Sequence, residues 1–299
     1  MNKKMLAGLI LTIFFIFIAL FGVWIAPYDI NDYQGTEYTD GKIYTPPYPP
    51  SLEHPLGTDR FGYDLLTKIL YGARYTIFSA LLISFFRIFL GTTIGIFLGI
   101  RKTKKKKSLI SFAWGAIPAF IIVYFLISPF NIQLEKKEVS FTALVYTILI
   151  FILVGIPGVI SNIRGKAEII MEKEFVSAAK ILGANTFRIM RRYILPHLKE
   201  TVITLFVTEA VLILTLFGQL GIFDLFVGGT LKYLYPTEYH SITNEWAGLI
   251  GQMRTNVYTN QWIILAPMSA YLMLIVSFQL LAAGLNEYYK KKLHNYPYI

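Results

Sequence analysis

Residues 172–196 read EKEFVSAAKILGANTFRIMRRYILP, a basic segment strung between two long apolar runs. Charged side chains are costly in hydrocarbon, so a stretch this rich in Lys, Arg and Glu is placed in water, with a membrane span expected on either side. Its reading therefore decides the architecture: the chain enters and leaves the membrane around this segment.

Working outward, 55% of the residues are hydrophobic, 15% are charged and the mean hydropathy is +0.54, too little polar surface to cover a soluble globule of 299 residues. A helical span needs about 20 apolar residues. Six stretches meet that length, near 6–26, 75–100, 109–128, 140–160, 201–223 and 262–283. The first follows Lys3 and Lys4 like a secretion signal, but its apolar run is long and Trp24-Ile25-Ala26 is a poor cleavage site, so it reads as a retained anchor. The fold class expected is an all-α integral membrane protein with six transmembrane helices. Residues 1–74 form an N-terminal anchor and extracytoplasmic loop, and 75–299 the transmembrane domain proper, with a cytoplasmic loop over about 161–200.

Orientation follows from Lys and Arg, which stay on the cytoplasmic side in short loops. With the N-terminus inside, 19 of the 28 Lys and Arg fall inside, 8 outside and Arg87 within a span. Both termini are then cytoplasmic, in a bacterial cell membrane. The formal net charge of +10 is explained by this topology and by anionic lipid at the inner leaflet, with no nucleic acid required. The run Lys104–Lys107 reads as a topology anchor.

The chain has no cysteine, and its histidines, His54, His197, His240 and His294, have no metal-ligand spacing, so neither a disulfide framework nor a metal site is expected. No phosphate-cradling G-x-x-x-x-G-K-[ST] and no G-x-S-x-G elbow occurs. No catalytic residue is assigned and no cofactor is expected to bind directly.

Within the opening segment, Glu174–Leu182 read as helix places Phe175, Ala178, Ala179 and Leu182 on one apolar face with two small residues at its centre. Gly183 is expected to stop the helix at positive φ. A second set, Phe187, Met190 and Ile194 opposite Arg188, Arg191 and Arg192, leads to Leu195-Pro196, where the next span begins. A short helix, a bend and a second helix joined to a span can pass a push from a soluble partner into the bilayer.

Ala178-Ala179, Gly183 and Leu195-Pro196 in this spacing resemble the EAA loop of the permease subunits of bacterial ABC importers, with Ser177 where the motif commonly has Glu. Glu174-Phe175-Val176 and Leu182-Gly183-Ala184 are similar to the dipeptide/oligopeptide/nickel permease family in particular. A second likeness lies in the outer loop, HPLGTDRFGYD over His54–Asp64 with ILYGAR over Ile69–Arg74, which resembles the C-type peptide permease subunit; the Glu245-Trp246-Ala247-Gly248 region is similar to the same family. In this likeness His54, Gly57, Thr58, Asp59, Gly62 and Asp64 carry the outer motif, Tyr63 stands where the family typically has Arg, and Lys68 replaces another common Arg.

The resemblance implies a path for dipeptides or oligopeptides formed with a homologous permease subunit. Two cytoplasmic ABC ATPase subunits that hold ATP and Mg drive it, and an extracytoplasmic solute-binding protein feeds it. Nickel chelates or another small solute are the alternative cargo, and a membrane scaffold the alternative role. It further implies that the helix Glu174–Gly183 docks on the ATPase and carries its motion in an alternating-access cycle.

Gly91, Gly95 and Gly99 stack along one face of the second span and allow close helix packing, within this subunit or against another. Arg87 and Glu209 are the formal charges inside the spans; Arg87 either lines the path, where it would attract a peptide carboxylate, or pairs with Glu209 or with a group on the other permease subunit, and Glu209 makes a packing or gating contact or binds substrate directly. In the third outer loop, Trp246, Leu249, Ile250 and Met253 have the spacing of a one-sided helix lying on the membrane or dipping between spans.

Overall fold

The computed structural model describes residues 2–39, 42–101, 117–133, 141–235 and 237–295. Among these, five helices are long and apolar enough to cross a membrane. In chain order the helices are α1 (Lys3–Ile25), α2 (Leu65–Ile100), α3 (Ala119–Asn131), α4 (Phe141–Met171), α5 (Glu174–Ile181), α6 (Thr186–Ile189), α7 (Leu195–Ile222), α8 (Trp246–Gln252) and α9 (Trp262–Asn295). The third expected span is seen as α3, a shorter apolar helix packed on α4. Residues 109–116 of that expectation, and Lys104–Lys107, lie outside the described residues.

Two boundaries differ from expectation. Helix α2 starts at Leu65, before the apolar run begins, because Asp64 caps it by accepting from the backbone N–H of Thr67. At 36 residues it is about 54 Å long, well beyond the roughly 30 Å of hydrocarbon, so it extends out of the membrane. Helix α3 runs through Pro129 to Asn131, where a loop was expected, and its end is held by the Asn131 side chain donating to the carbonyl of Phe226 at 2.8 Å.

Helix α1 buries one stripe, Gly8, Thr12, Phe15, Ala19 and Gly22, against α9 and α2. The remaining apolar side chains of α1, including Phe14, Phe17 and Phe21, face outward, as lipid contact requires. The three glycines of α2 pack within the subunit: a Cβ on Gly91 would lie 2.5 Å from Val159, on Gly95 3.0 Å from Ile163, and on Gly99 2.7 Å from Ala167, all on α4. The seam between α2 and α4 is thus a backbone approach that only glycine permits.

Small strands outside the spans supplement the helices. A hairpin pairs β1 (Glu37–Thr39) with β2 (Lys42–Tyr44), and a three-stranded sheet of order β3 (Ile132–Gln133), β4 (Thr230–Leu234), β5 (Thr237–Ser241) joins the end of α3 to the loop after α7. Helix α8 dips inward: Trp246, Leu249 and Met253 are each 1% exposed, and Trp246 donates its indole N–H to the carbonyl of Ile69 and its backbone N–H to Thr76 Oγ1. The main core joins α1, α2, α4, α7, α8 and α9, and a second core around α5 and α6 gathers Ile96, Ile163, Met171, Val176, Ile189 and Leu198.

Candidate functional site

The motif His54–Asp64 is a polar knot that closes on itself. Gly57 and Gly62 adopt φ of +76° and +87°, and a Cβ on Gly62 would collide with the carbonyl of Gln34, so both turns need glycine. Thr58 and Tyr48 bond reciprocally: Thr58 N–H to the Tyr48 carbonyl at 2.9 Å, Tyr48 N–H to Thr58 Oγ1 at 2.8 Å. Asp59 is fully buried; one carboxylate oxygen accepts from the N–H groups of Phe61 and Tyr63, the other from Lys68 Nζ at 2.5 Å. Lys68 also lies 4.5 Å from the centre of the Tyr63 ring, so the two residues that depart from the family pattern meet each other. Asp64 caps α2 with one oxygen and holds His54 Nδ1 at 2.9 Å with the other.

Beneath this knot sits Glu245, 1% exposed, accepting from the N–H of Ala247 at the start of α8. Burial pushes its carboxyl up to about 7, against the opposing pull of backbone N–H groups of Ala247, Val227 and Gly248.

In the membrane, Arg87 and Glu209 are brought together. Arg87 Nη1 donates to Glu209 Oε2 at 2.9 Å, while Nε and Nη2 donate to the carbonyl of Phe151 at 2.9 and 2.6 Å. The guanidinium lies flat on α4 where Gly155 has no side chain; a Cβ there would overlap it. The pair borders a cavity of about 1030 Å³ between α3, α4 and α7, whose polar lining includes Ser161, Thr215 and Gln219. Gly155, Ser161 and Gln219 were not singled out from sequence. The Gly155-Ile156-Pro157-Gly158 cluster inside a span was the available signal, since such residues are placed in a span only where something packs or passes close by.

In the segment 172–196, α5 covers Glu174–Ile181 and ends in a Schellman motif. Gly183 has φ +80°, its N–H bonds to the Lys180 carbonyl, and the Ala184 N–H bonds to the Ala179 carbonyl. One expectation is corrected. Ala179 (5% exposed) does not share an outward face with Phe175, Ala178 and Leu182; together with Val176 (0%) it is buried in the chain's own core. Adjacent helical residues sit about 100° apart, so two consecutive alanines divide between the inner and outer sides.

Outward remain Phe175 (40%), Ala178, Ile181 (87%) and Leu182 (85%), an apolar patch on a helix held from behind. Phe175 also stacks on His197 and Tyr193, with ring centroids 5.2 and 6.2 Å away, tying α5 to the start of α7. Leu195 and Pro196 open α7 directly after a π-helical turn, Met190–Ile194, in which the Leu195 N–H reaches the Met190 carbonyl. Such a turn is a way to admit a proline without ending the helix.

Comparison with known proteins places this geometry. Residues 91–295 match the family described as binding-protein-dependent transport system inner membrane component, and residues 1–47 match the N-terminal TM domain of oligopeptide transport permease C. The chain is similar to the di/tripeptide transport system permease protein DppC of Pseudomonas aeruginosa, 23% identical over 98% of this chain and 90% of that protein. It is also similar to the dipeptide transport system permease protein DppC of Alkalihalophilus pseudofirmus, 26% identical over 96% of this chain and 85% of that protein. With a putative peptide transport system permease protein of Brucella suis it shares 28% identity over 80% of this chain and 74% of that protein. The chain therefore belongs to the family of inner membrane components of binding-protein-dependent transport systems, as a multi-pass ABC permease subunit, not an enzyme, whose family works with ATP-hydrolysing subunits and a solute-binding protein.

Proposed function

We propose that the chain is the C-type permease subunit of a peptide importer and forms, with a homologous subunit, the translocation path for dipeptides or oligopeptides. The peptide names of its relatives support the cargo class. The single observation that carries the coupling is the outward patch of Phe175, Ala178, Ile181 and Leu182. Apolar side chains this exposed on a helix in water are explained by a partner that covers them.

In this reading two ATPases on the cytoplasmic side hold ATP and Mg and grip α5, with Glu174 in its first turn. Their closure moves α5; Val176 and Ala179, packed into the second core, and Phe175, stacked on His197, transmit the movement to α4 and α7. The cavity beside Arg87 and Glu209 then switches its access from one side to the other, a population shift driven by the difference in ATPase affinity for the two states. The loop of residues 27–74, with the His54–Asp64 knot, faces the solute-binding protein. Residues 1–74 serve as anchor and outer loop and 75–299 as the transport domain, in a bacterial cell membrane with both termini inside, the orientation favoured by the distribution of Lys and Arg.

The test is reconstitution of the whole complex in liposomes. A cysteine at Ala178 is expected to crosslink to an ATPase subunit, and Gly183→Pro to abolish peptide uptake while the subunit still inserts and assembles. Modification of the same cysteine from the side opposite the ATPases, or full uptake by Gly183→Pro, would overturn the proposal.

A further inference from the structure

The charged pair at the cavity is asymmetric, and the asymmetry bears on what the cavity reads. All three guanidinium nitrogens of Arg87 already donate, to Glu209 and to the carbonyl of Phe151, and the side chain is 3% exposed. Two of its five N–H groups remain, but a side chain this deeply buried presents little surface to a peptide carboxylate. Glu209 is half used: Oε2 accepts from Arg87, whereas Oε1 has no partner among the described residues and the side chain keeps 11% of its surface open at the cavity wall. An ionised carboxylate can accept on both oxygens, and near low-dielectric walls a charged donor is the partner that compensates it best.

Along α7, Glu209, Leu212, Leu216 and Gln219 line the same cavity, so the open oxygen stands at one end of a mostly apolar trough. Among the described residues, no second cation lines it. The trough can thus bind one cationic end of a guest and leaves the opposite end and the side chains unread. Its volume, about 1030 Å³, is large enough for a short peptide.

We propose that Glu209 Oε1 is the acceptor for the free α-ammonium group of a peptide passing through this cavity, with Arg87 acting as the positioning residue that keeps the Glu209 carboxylate aimed. This rests on the peptide-importer reading and adds the chemical group by which the membrane path itself recognises its cargo.

The experiment uses the assembled transporter, both permease subunits with the ATPases, in nanodiscs without the solute-binding protein. Radiolabelled Ala-Phe and N-acetyl-Ala-Phe are compared by equilibrium binding. Loss of a hydrogen bond between charged groups predicts that the free dipeptide binds at least about tenfold tighter than the acetylated one. Glu209→Gln is expected to remove that preference. Wild-type binding of the free peptide is expected to weaken as pH rises through about 8, where an α-amino group loses its proton.

Equal binding of the two peptides, no detectable binding at millimolar peptide, or an undiminished preference in Glu209→Gln overturns the proposal. Should that variant fail to assemble, the wild-type comparison of the two peptides and its pH profile decide alone. Uptake of Ala-Phe by the full system separates the two levels. If uptake persists without the amino-terminal preference, only this assignment falls; if no peptide is taken up, the importer reading falls first.

Discussion

The His54–Asp64 knot and the Glu174–Gly183 segment carry the two family-like motifs of this chain, and they use their residues in opposite ways. Around His54–Asp64 the polar side chains are buried and spent on the chain itself: Asp59 on Lys68 and two backbone N–H groups, Asp64 on the start of α2 and on His54. In Glu174–Gly183 only Val176 and Ala179 are turned inward, and large apolar side chains are left in the open. The first region is finished within one subunit; the second leaves its apolar side chains uncovered. Residues that fit a family pattern therefore divide by burial into those that build the subunit and those that, in the proposed function, join it to a partner.

The largest effect that would break this contrast is at Asp59. Asp59→Ala strands the Lys68 ammonium, 8% exposed, without its countercharge and is expected to cost about 3–5 kcal/mol. Thermal unfolding of the purified complex is the check; a wild-type midpoint would mean the knot is not a structural unit.

Next in size is the pH dependence of Glu245. Its folded pKa, about 7, lies above the ordinary value of 4.5, so the folded protein binds more protons between those limits. Stability is therefore expected to fall as pH rises from about 4.5 to about 7 and to level off above, by about 3 kcal/mol in all. Glu245→Gln should flatten that profile. A slope unchanged in the variant would place its origin elsewhere.

At the other end of the molecule, Gly183→Ala meets no neighbouring atom and is penalised only through its positive φ, by about 1–2 kcal/mol. Because the bend and not a packed core is altered, uptake is expected to drop far more than the unfolding midpoint. Asn, which tolerates this conformation, should restore both in part.

The smallest effect on folding is expected from Leu182→Ser, at a residue 85% exposed: within about 0.5 kcal/mol in stability, yet with loss of ATPase subunits during purification. A variant that retains its ATPases would remove the contrast from this side.

Much of the fold was legible because it follows from transfer free energy along a single chain. The expected spans near 6–26, 140–160, 201–223 and 262–283 correspond to α1, α4, α7 and α9, with bounds that overrun the helices by one residue in three cases, since a continuous apolar run in lipid must satisfy its own backbone as helix. The Gly183 stop and the one-sided helix from Trp246 were likewise readable, as each depends on a local conformation or a short period. The strands β3, β4 and β5 were not, because Ile132–Gln133 pairs in parallel with Thr230–Leu231, a partner about a hundred residues away that no local pattern announces.

By itself, then, the order of residues determined that this is a multi-span membrane protein with a basic segment between its later spans, since hydrophobicity and charge act on each stretch independently of the others. Only the tertiary structure decided what each special residue is for. It set Gly91, Gly95 and Gly99 against α4, directed Ala179 inward and Ala178 outward, and satisfied Arg87 on the Phe151 carbonyl while one oxygen of Glu209 stayed open. Those outcomes depend on which backbone approaches which side chain in three dimensions, and the same two charges would be consistent with a closed pair or an open site until their neighbours are placed.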